Sequence, residues 1–172
     1  TAASSANLYK AAAKQGIYVT ACHSTASWSH PCEADFKDSF VTYFVPNSVR
    51  AFYNMCKEVF TEIGGSGEVI NLHGYEGNDA NTERVLGFEL AAKEFPNIEV
   101  VARINGKEAR AEALPIVESL LTAHPNTKVV VCHNDDSAMA VVSVARDRNL
   151  KDLKIVSSDA IADFCNAIVE GP

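Results

Sequence analysis

The sequence predicts an α/β protein built on a doubly wound parallel sheet, and three observations carry that prediction. The stretch Lys128–Asp136, KVVVCHNDD, runs four β-favouring residues straight into a polar cluster with a helical pattern behind it, as strands buried on both faces of a parallel sheet do. Strand starts near Val69, Ile98, Lys128 and Lys154 recur about every 30 residues, the length of a βα unit. The composition, 47% hydrophobic and 22% charged over 172 residues, is that of a globular chain able to bury a sizeable core.

Charge and cysteine usage narrow the function classes. A net charge of −7 without any Lys/Arg cluster leaves nothing to neutralise phosphates, which argues against a nucleic-acid partner. No apolar run reaches membrane-spanning length, and the opening TAASSANLYK lacks both a basic n-region and an apolar h-region, so a signal peptide is expected to be absent or already removed. Five cysteines without a CxxC pair define neither a disulfide framework nor a redox compartment.

In chain order, Leu8, Ala11 and Ala12 form a weak helical stripe closed by Gly16. A strand over Ile17–Cys22 follows, and the polar segment His23–Lys37, with Trp28 and Pro31, reads as a loop. Phe40–Val45 is a second strand, ended by Pro46. Asn47 or Ser48 can cap a helix whose apolar positions Val49, Phe52, Cys56, Val59, Phe60 and Ile63 recur at helical spacing, until Gly64, Gly65 and Gly67 stop it. Beyond this come the βα units, with helical stripes at Val85, Phe88, Ala92 and Phe95, at Leu114, Val117, Leu120 and Leu121, and at Val141, Val142 and Ala145. Pro115 interrupts the second of these, where its ring removes a hydrogen bond and crowds the carbonyl four residues back. A kinked helix is the expected result, with a helix starting at Pro115 as the alternative.

Ligands of parallel sheets bind past the carboxyl ends of the strands. Four such ends carry polar groups here: His23 and Ser24; HGYEGNDANTER after Leu72, with Asn78 and Thr82; His133 and Asn134; and Ser158 and Asp159. An Asn that both donates and accepts, beside a carboxylate that can accept two hydroxyl protons, suits a neutral polyhydroxylated ligand. Each residue also has a plainer role open to it. Asn134, Asp135 and Asp159 can cap helices, Arg84 can bond nearby carbonyls or carboxylates, and His73, His124 and His133 read as turn or surface residues. Cys56 and Cys165 sit on apolar helix faces and read as buried thiols.

The stretches GEVINLHGYEGNDANTERVLGFELAAKEFPNIEVV, LLTAHPNTKVVVCHNDDSAMAVVSVARD and LKIVSSDAIADFCNAIVEG resemble the second lobe of the type 1 periplasmic binding proteins, ribose-binding protein among them. Gly74, Arg84, Gly87 and Phe88 meet one family motif; Asn134, Asp135 and Ala138 meet a second; Asp159 meets a third. The resemblance implies two α/β lobes joined by a hinge, with the ligand in a cleft that closes around it. Residues 1–45 would then be the tail of the first lobe, the crossing would lie near Val45, Pro46 and Asn47, and residues 46–172 would be the second lobe, truncated before the return crossing. It also implies a sugar, polyol or related small polar ligand held by Asn134 and Asp159, delivered to the membrane permease of an ABC importer from a periplasmic or extracellular position, with or without a lipid anchor. His23 and Ser24 stand where ribose-binding members carry an Asp-Arg pair, and Thr82 where they carry an Arg, so a ligand other than ribose is expected. Trp28 is the candidate for stacking on a sugar ring. On this template Asp135 keeps the helix cap and Arg84 a structural role. The effector-binding part of a lac-repressor-type regulator has the same lobes and is the alternative.

Other chemistry finds little support. Cys22, His23, His30 and Cys32 match no common zinc spacing, and a Cys22–Cys32 disulfide is the stronger expectation in a secreted protein. GGSGE is not a nucleophile elbow, and its glycines precede a strand, so they form neither a dinucleotide fingerprint nor a P-loop. No spacing joins Ser, His and Asp into a catalytic set. Neither an enzyme nor a cofactor is expected.

Overall fold

The computed structural model describes residues 2–22 and 39–171, with side chains from residue 6 onward. These residues fall into two compact units, one within residues 1–47 with 78–80, the other comprising 48–77 and 81–172. The smaller unit holds helix α1 (Ala2–Lys14) and strands β1 (Val19–Cys22) and β2 (Phe40–Phe44), which pair in parallel. Phe40 is its one buried apolar side chain among the described residues, packed with Tyr9, Ala13, Val19, Ala21 and Tyr43.

The larger unit alternates helices and strands: α2 (Ser48–Glu62), β3 (Ser66–His73), α3 (Asp79–Glu94), β4 (Asn97–Asn105), α4 (Arg110–Ala123), β5 (Thr127–Cys132), α5 (Asp135–Arg148), β6 (Lys154–Val156) and α6 (Ala162–Glu170). All strands are parallel, in the order β4-β3-β5-β6. This is the expected α/β architecture of βα repeats on a parallel sheet.

The sheet separates two cores. Val69, Val129 and Val131 face Phe52, Cys56, Phe60, Phe88 and Ala91 from α2 and α3. Ile70, Leu72, Val130 and Cys132 face Val117, Leu121, Ala138, Val141 and Ala145 from α4 and α5, with Phe164 of α6. Successive strand residues point to opposite faces, so the unbroken run Val129–Cys132, at most 1% exposed, supplies both cores in turn. Each such side chain contributes about 1.5–3 kcal/mol of burial.

α2 and α3 approach closely because Gly87 has no side chain. A Cβ there would meet the Val49 carbonyl oxygen, with the Phe52 Cβ and the Tyr53 nitrogen both at 2.9 Å. Across the same contact, Tyr53 donates to Glu94 at 2.5 Å and Lys57 to Glu94 at 2.7 Å.

Several local expectations change. β3 begins at Ser66, so Gly67 lies inside the strand, at φ 141°. α4 starts at Arg110 and carries Pro115 within it; the carbonyl that Pro115 leaves without its helical donor belongs to Ala111, in the first turn. Cys56 is buried, and desolvation pushes its thiol up to about 12. Cys165 is exposed, contrary to its apolar-face reading, because α6 turns Phe164 and Ala167 inward. His133 is buried instead of lying at the surface, since it follows β5 directly into the sheet edge.

Candidate functional site

At the carboxyl edge of the larger sheet, turn chemistry determines which polar groups are presented. α5 begins immediately after β5, and Asn134 is its N-cap: the side-chain oxygen accepts from the Ser137 backbone N–H at 3.1 Å and from the Ser137 hydroxyl at 2.5 Å. Asp135, expected to be the cap, sits one residue inside the helix, 1% exposed, and accepts from the Ile161 N–H at 2.9 Å. It therefore braces the start of α6, whose own N-cap, Ile161, has no capping side chain. The Asp159 capping alternative accordingly falls away.

The Asn134 amide donates to the Glu108 carbonyl at 2.8 Å. With the oxygen engaged twice, one amide hydrogen remains for another acceptor. Asp159 stands just past β6 with its side chain 40% exposed; its Oδ1 accepts from Arg84 Nη2 at 3.2 Å and from the Ser158 hydroxyl at 3.1 Å, and none of these contacts uses Oδ2. Asp159 and Ala160 both adopt positive φ, 115° and 59°, a conformation that costs non-glycine residues energy and recurs at ligand-binding turns.

β5 and β6 are neighbours with Val131 paired to Val156. Carrying that register forward by three positions sets Asn134 opposite Asp159, on strands spaced about 4.8 Å apart. An amide donor and a carboxylate acceptor thus occupy adjacent strand ends.

Beneath them lies Arg84, 8% exposed. Its guanidinium donates to the His133 carbonyl as well as to Asp159, and it stacks 5.4 Å from the Phe52 ring centre. The structural role expected of Arg84, bonding a carbonyl and a carboxylate, is the one it has.

A third carboxylate, Glu108, went unnoticed in the sequence. Lys107 and Glu108 adopt left-handed backbone, φ 65° and 56°, which turns the Glu108 side chain back over the strand ends. There it accepts from the Tyr75 N–H at 2.8 Å and lies 3.5 Å from His133 Nε2. The Tyr75 hydroxyl closes over the same turn by donating to the Lys107 carbonyl at 2.9 Å. The signal that could have found this turn is the Asn105-Gly106 dipeptide ending β4. Gly74 has no room for a side chain here, because a Cβ would come within 2.8 Å of the His133 ring and collide with Glu108. Burial, and then the Arg84 charge, hold the His133 imidazole down to about 4, so it is neutral at physiological pH.

Of the remaining candidates, Thr82 is exposed in the early part of α3, the helix that leaves the same edge. Asn78 precedes that helix and accepts from the Ala80 N–H at 2.9 Å, the capping geometry. His23, Ser24 and Trp28 lie outside the described residues, as do His30 and Cys32; Cys22 carries a free, exposed thiol. Among the described residues no group of three His, Cys, Asp or Glu side chains could hold a metal ion, and no helix is long and apolar enough to cross a membrane. A cavity of about 530 Å³ lined by Leu121, His124, Lys128, Arg148 and Leu153 opens at the opposite, amino-terminal end of the sheet, away from these polar groups.

Comparison with known proteins places this edge in context. The chain is 31% identical over 110 residues to a ribose import binding protein of Salmonella typhimurium, covering 63% of this chain and 36% of that one. It is 29% identical over 109 residues to a galactofuranose-binding protein of Escherichia coli, covering 60% and 34%, and 25% identical over 127 residues to a xylitol-binding protein of Mycolicibacterium smegmatis, covering 73% and 36%. The matched stretch thus spans about a third of these relatives' length. Among solved structures, a twin-arginine translocation pathway signal protein of Burkholderia phytofirmans superposes with a TM-score of 0.90 at 26% identity, over 98% of this chain and 52% of that one. A periplasmic solute-binding protein of an Actinobacillus succinogenes ABC transporter, with bound D-allose, shares the fold at a TM-score of 0.85 and 23% identity, over 96% of this chain and 57% of the other. The periplasmic binding protein domain family matches residues 2–172, and the chain belongs to that family.

Proposed function

We propose that this chain is part of a solute-binding protein for a sugar or polyol, which delivers its ligand to an ABC-type importer by cleft closure. The observation that carries the reading is the pairing of Asn134 and Asp159 at adjacent strand ends, one with an amide hydrogen to spare and the other with a carboxylate oxygen outside its contacts with Arg84 and Ser158. A donor beside an acceptor matches the hydroxyl pattern of a neutral sugar. The relatives, import binding proteins for ribose and D-apiose and binding proteins for galactofuranose and xylitol, support an importer over the transcriptional regulator that shares these lobes.

In this reading residues 1–45 form the tail of a first lobe and residues 46–172 a second, with the hinge crossing near Val45, Pro46 and Asn47. Thr82 joins Asn134 and Asp159 from the second lobe, and His23, Ser24 and Trp28 contribute from the first. Ligand contacts made only when the lobes meet stabilise the closed state, and that state presents the surface a membrane permease recognises. The protein then works in the periplasm or outside the cell, and binds its cargo without turning it over.

A thermal-shift screen of the full-length protein against D-ribose, D-allose, L-arabinose, D-galactose and xylitol tests the proposal, because a ligand that binds only the folded state raises the melting temperature. Asn134→Ala and Asp159→Ala should each weaken the ligand found by at least tenfold. Unchanged affinity in both variants would overturn the assignment of the site.

A further inference from the structure

We propose that Arg84 is a positioning residue for the ligand site, setting the carboxylate of Asp159 and the β5 terminus in binding register without touching the ligand itself. The inference rests on the sugar-binding reading of this edge and adds a residue to it. Arg84 rises from α3, the helix that follows β3, and its guanidinium reaches the ends of two other strands: Nη1 donates to the His133 carbonyl and Nη2 to Asp159 Oδ1.

These contacts separate the two oxygens of Asp159. Oδ1 is held by Arg84 and the Ser158 hydroxyl, and the other oxygen is left to accept from a ligand. A flexible carboxylate would have to lose its rotamer freedom on binding; one already held by a guanidinium has lost it during folding, and preorganisation of this kind raises affinity without any new ligand contact. The backbone at Asp159 is itself unfavourable for a non-glycine residue, at φ 115°, and such a conformation persists only where the surroundings enforce it. Arg84 is the enforcing contact from below, since burial at 8% and the Phe52 ring 5.4 Å away leave the guanidinium little room to move.

The bond to the His133 carbonyl extends the same control to β5, because His133 immediately precedes Asn134. A single buried side chain thereby couples the proposed donor and the proposed acceptor. Lysine would not replace it: an ammonium lacks the planar fork that bonds two acceptors in fixed directions.

The test has one arm independent of any ligand. Hydrogen–deuterium exchange of the ligand-free full-length protein is compared among wild type, Arg84→Met and Val117→Ala, the last a cavity variant in the opposite core that lowers stability without approaching the site. Exchange in the 157–163 segment at least tenfold faster in Arg84→Met than in Val117→Ala is the expected result; rates within twofold of each other overturn the proposal. If Arg84→Met does not fold, Arg84→Lys is read in the same way.

The second arm measures affinity for whichever sugar of the thermal-shift panel binds most tightly. Arg84→Met should cost at least tenfold in affinity in the native background and a clearly smaller factor in an Asp159→Ala background, because the part of its effect that runs through that carboxylate is already gone there. An equal loss in both backgrounds, or none in either, defeats the positioning role. If no panel sugar binds, the sugar reading falls while the exchange arm still decides the role of Arg84.

Discussion

The side-chain amide of Asn134 donates to the backbone carbonyl of Glu108 at 2.8 Å, tying the start of α5 to the turn that follows β4. The residue therefore caps a helix and tethers a neighbouring turn, and the proposed site gives its remaining amide N–H to a ligand. Substitution can separate them. Serine caps as well as asparagine but is too short to reach Glu108 or a ligand, so Asn134→Ser should keep the cap's share of stability, losing only the Glu108 tether, about 1 kcal/mol, while weakening the ligand at least tenfold. Asn134→Ala should lose affinity and, in addition, about 1 kcal/mol of stability for the missing cap. Thermal melts and calorimetric titration on both variants check this, and a serine variant that binds normally would reduce Asn134 to a cap.

Gly87→Ala sets two effects against each other. Inside a helix, alanine is favoured over glycine by about 1 kcal/mol, which alone predicts a more stable protein. The new Cβ, however, would strike the backbone of α2, with the Tyr53 nitrogen at 2.9 Å and the Val49 carbonyl nearer still. Backbone cannot rotate away as a side-chain tip can, so α2 and α3 must separate across a packed core containing Phe52, Phe60 and Phe88. Overpacking of this kind costs about 1–3 kcal/mol. The clash should win, and a lower urea midpoint for Gly87→Ala is the expected measurement.

What the sequence disclosed and what it hid divide along physical lines. The βα repeat was legible because burial on both faces of a parallel sheet leaves unbroken apolar runs such as Val129–Cys132, and the intervening helices keep their 3.6-residue stripes. The identity of the helix cap was not, because Asn134 and Asp135 are adjacent and either residue type caps well; a one-residue shift in where α5 begins moved the cap from Asp135 to Asn134. Burial of His133 was hidden for a related reason. A polar residue after a strand usually marks the surface, but here the Glu108 turn folds over it, driven by two non-glycine residues at positive φ that no composition rule anticipates. Arg84 was recognisable as a structural arginine, whereas its link to Asp159, seventy-five positions away, depends on tertiary contacts alone.

Gly74→Ala probes that same turn. A methyl at this position would collide with the Glu108 carboxylate and come within 2.8 Å of the His133 ring. The carboxylate can swing aside, but only by giving up its bond to the Tyr75 N–H at 2.8 Å, and the buried imidazole has nowhere to go. A loss of about 1–3 kcal/mol is expected, read from denaturant unfolding. Gly77→Ala is the comparison, since its added Cβ meets nothing within 4 Å and faces only the strain of φ 78°; it should cost less than Gly74→Ala, and the reverse order would refute the packing account.

His133 makes stability depend on acidity in a defined window. Its imidazole is 7% exposed and faces Arg84, Glu108, Asp159 and His73, and burial followed by the Arg84 charge lowers its pKa from 6.5 to about 4. As the pH falls below 6.5, the unfolded chain takes up a proton that the folded protein refuses. The unfolded state then binds more protons, and the equilibrium shifts toward it. Stability from this group is complete above about pH 6.5, declines as the pH drops, and is down by on the order of 3 kcal/mol near pH 4. Carboxylates elsewhere titrate in an overlapping range, so the contribution is isolated by difference. His133→Gln removes the titrating ring and should flatten the fall between pH 6.5 and 4, bringing the variant's urea midpoint toward that of wild type as the solution is acidified. Parallel curves for the two proteins across that window would mean that the His133 imidazole is protonated as readily in the folded protein as in the unfolded chain.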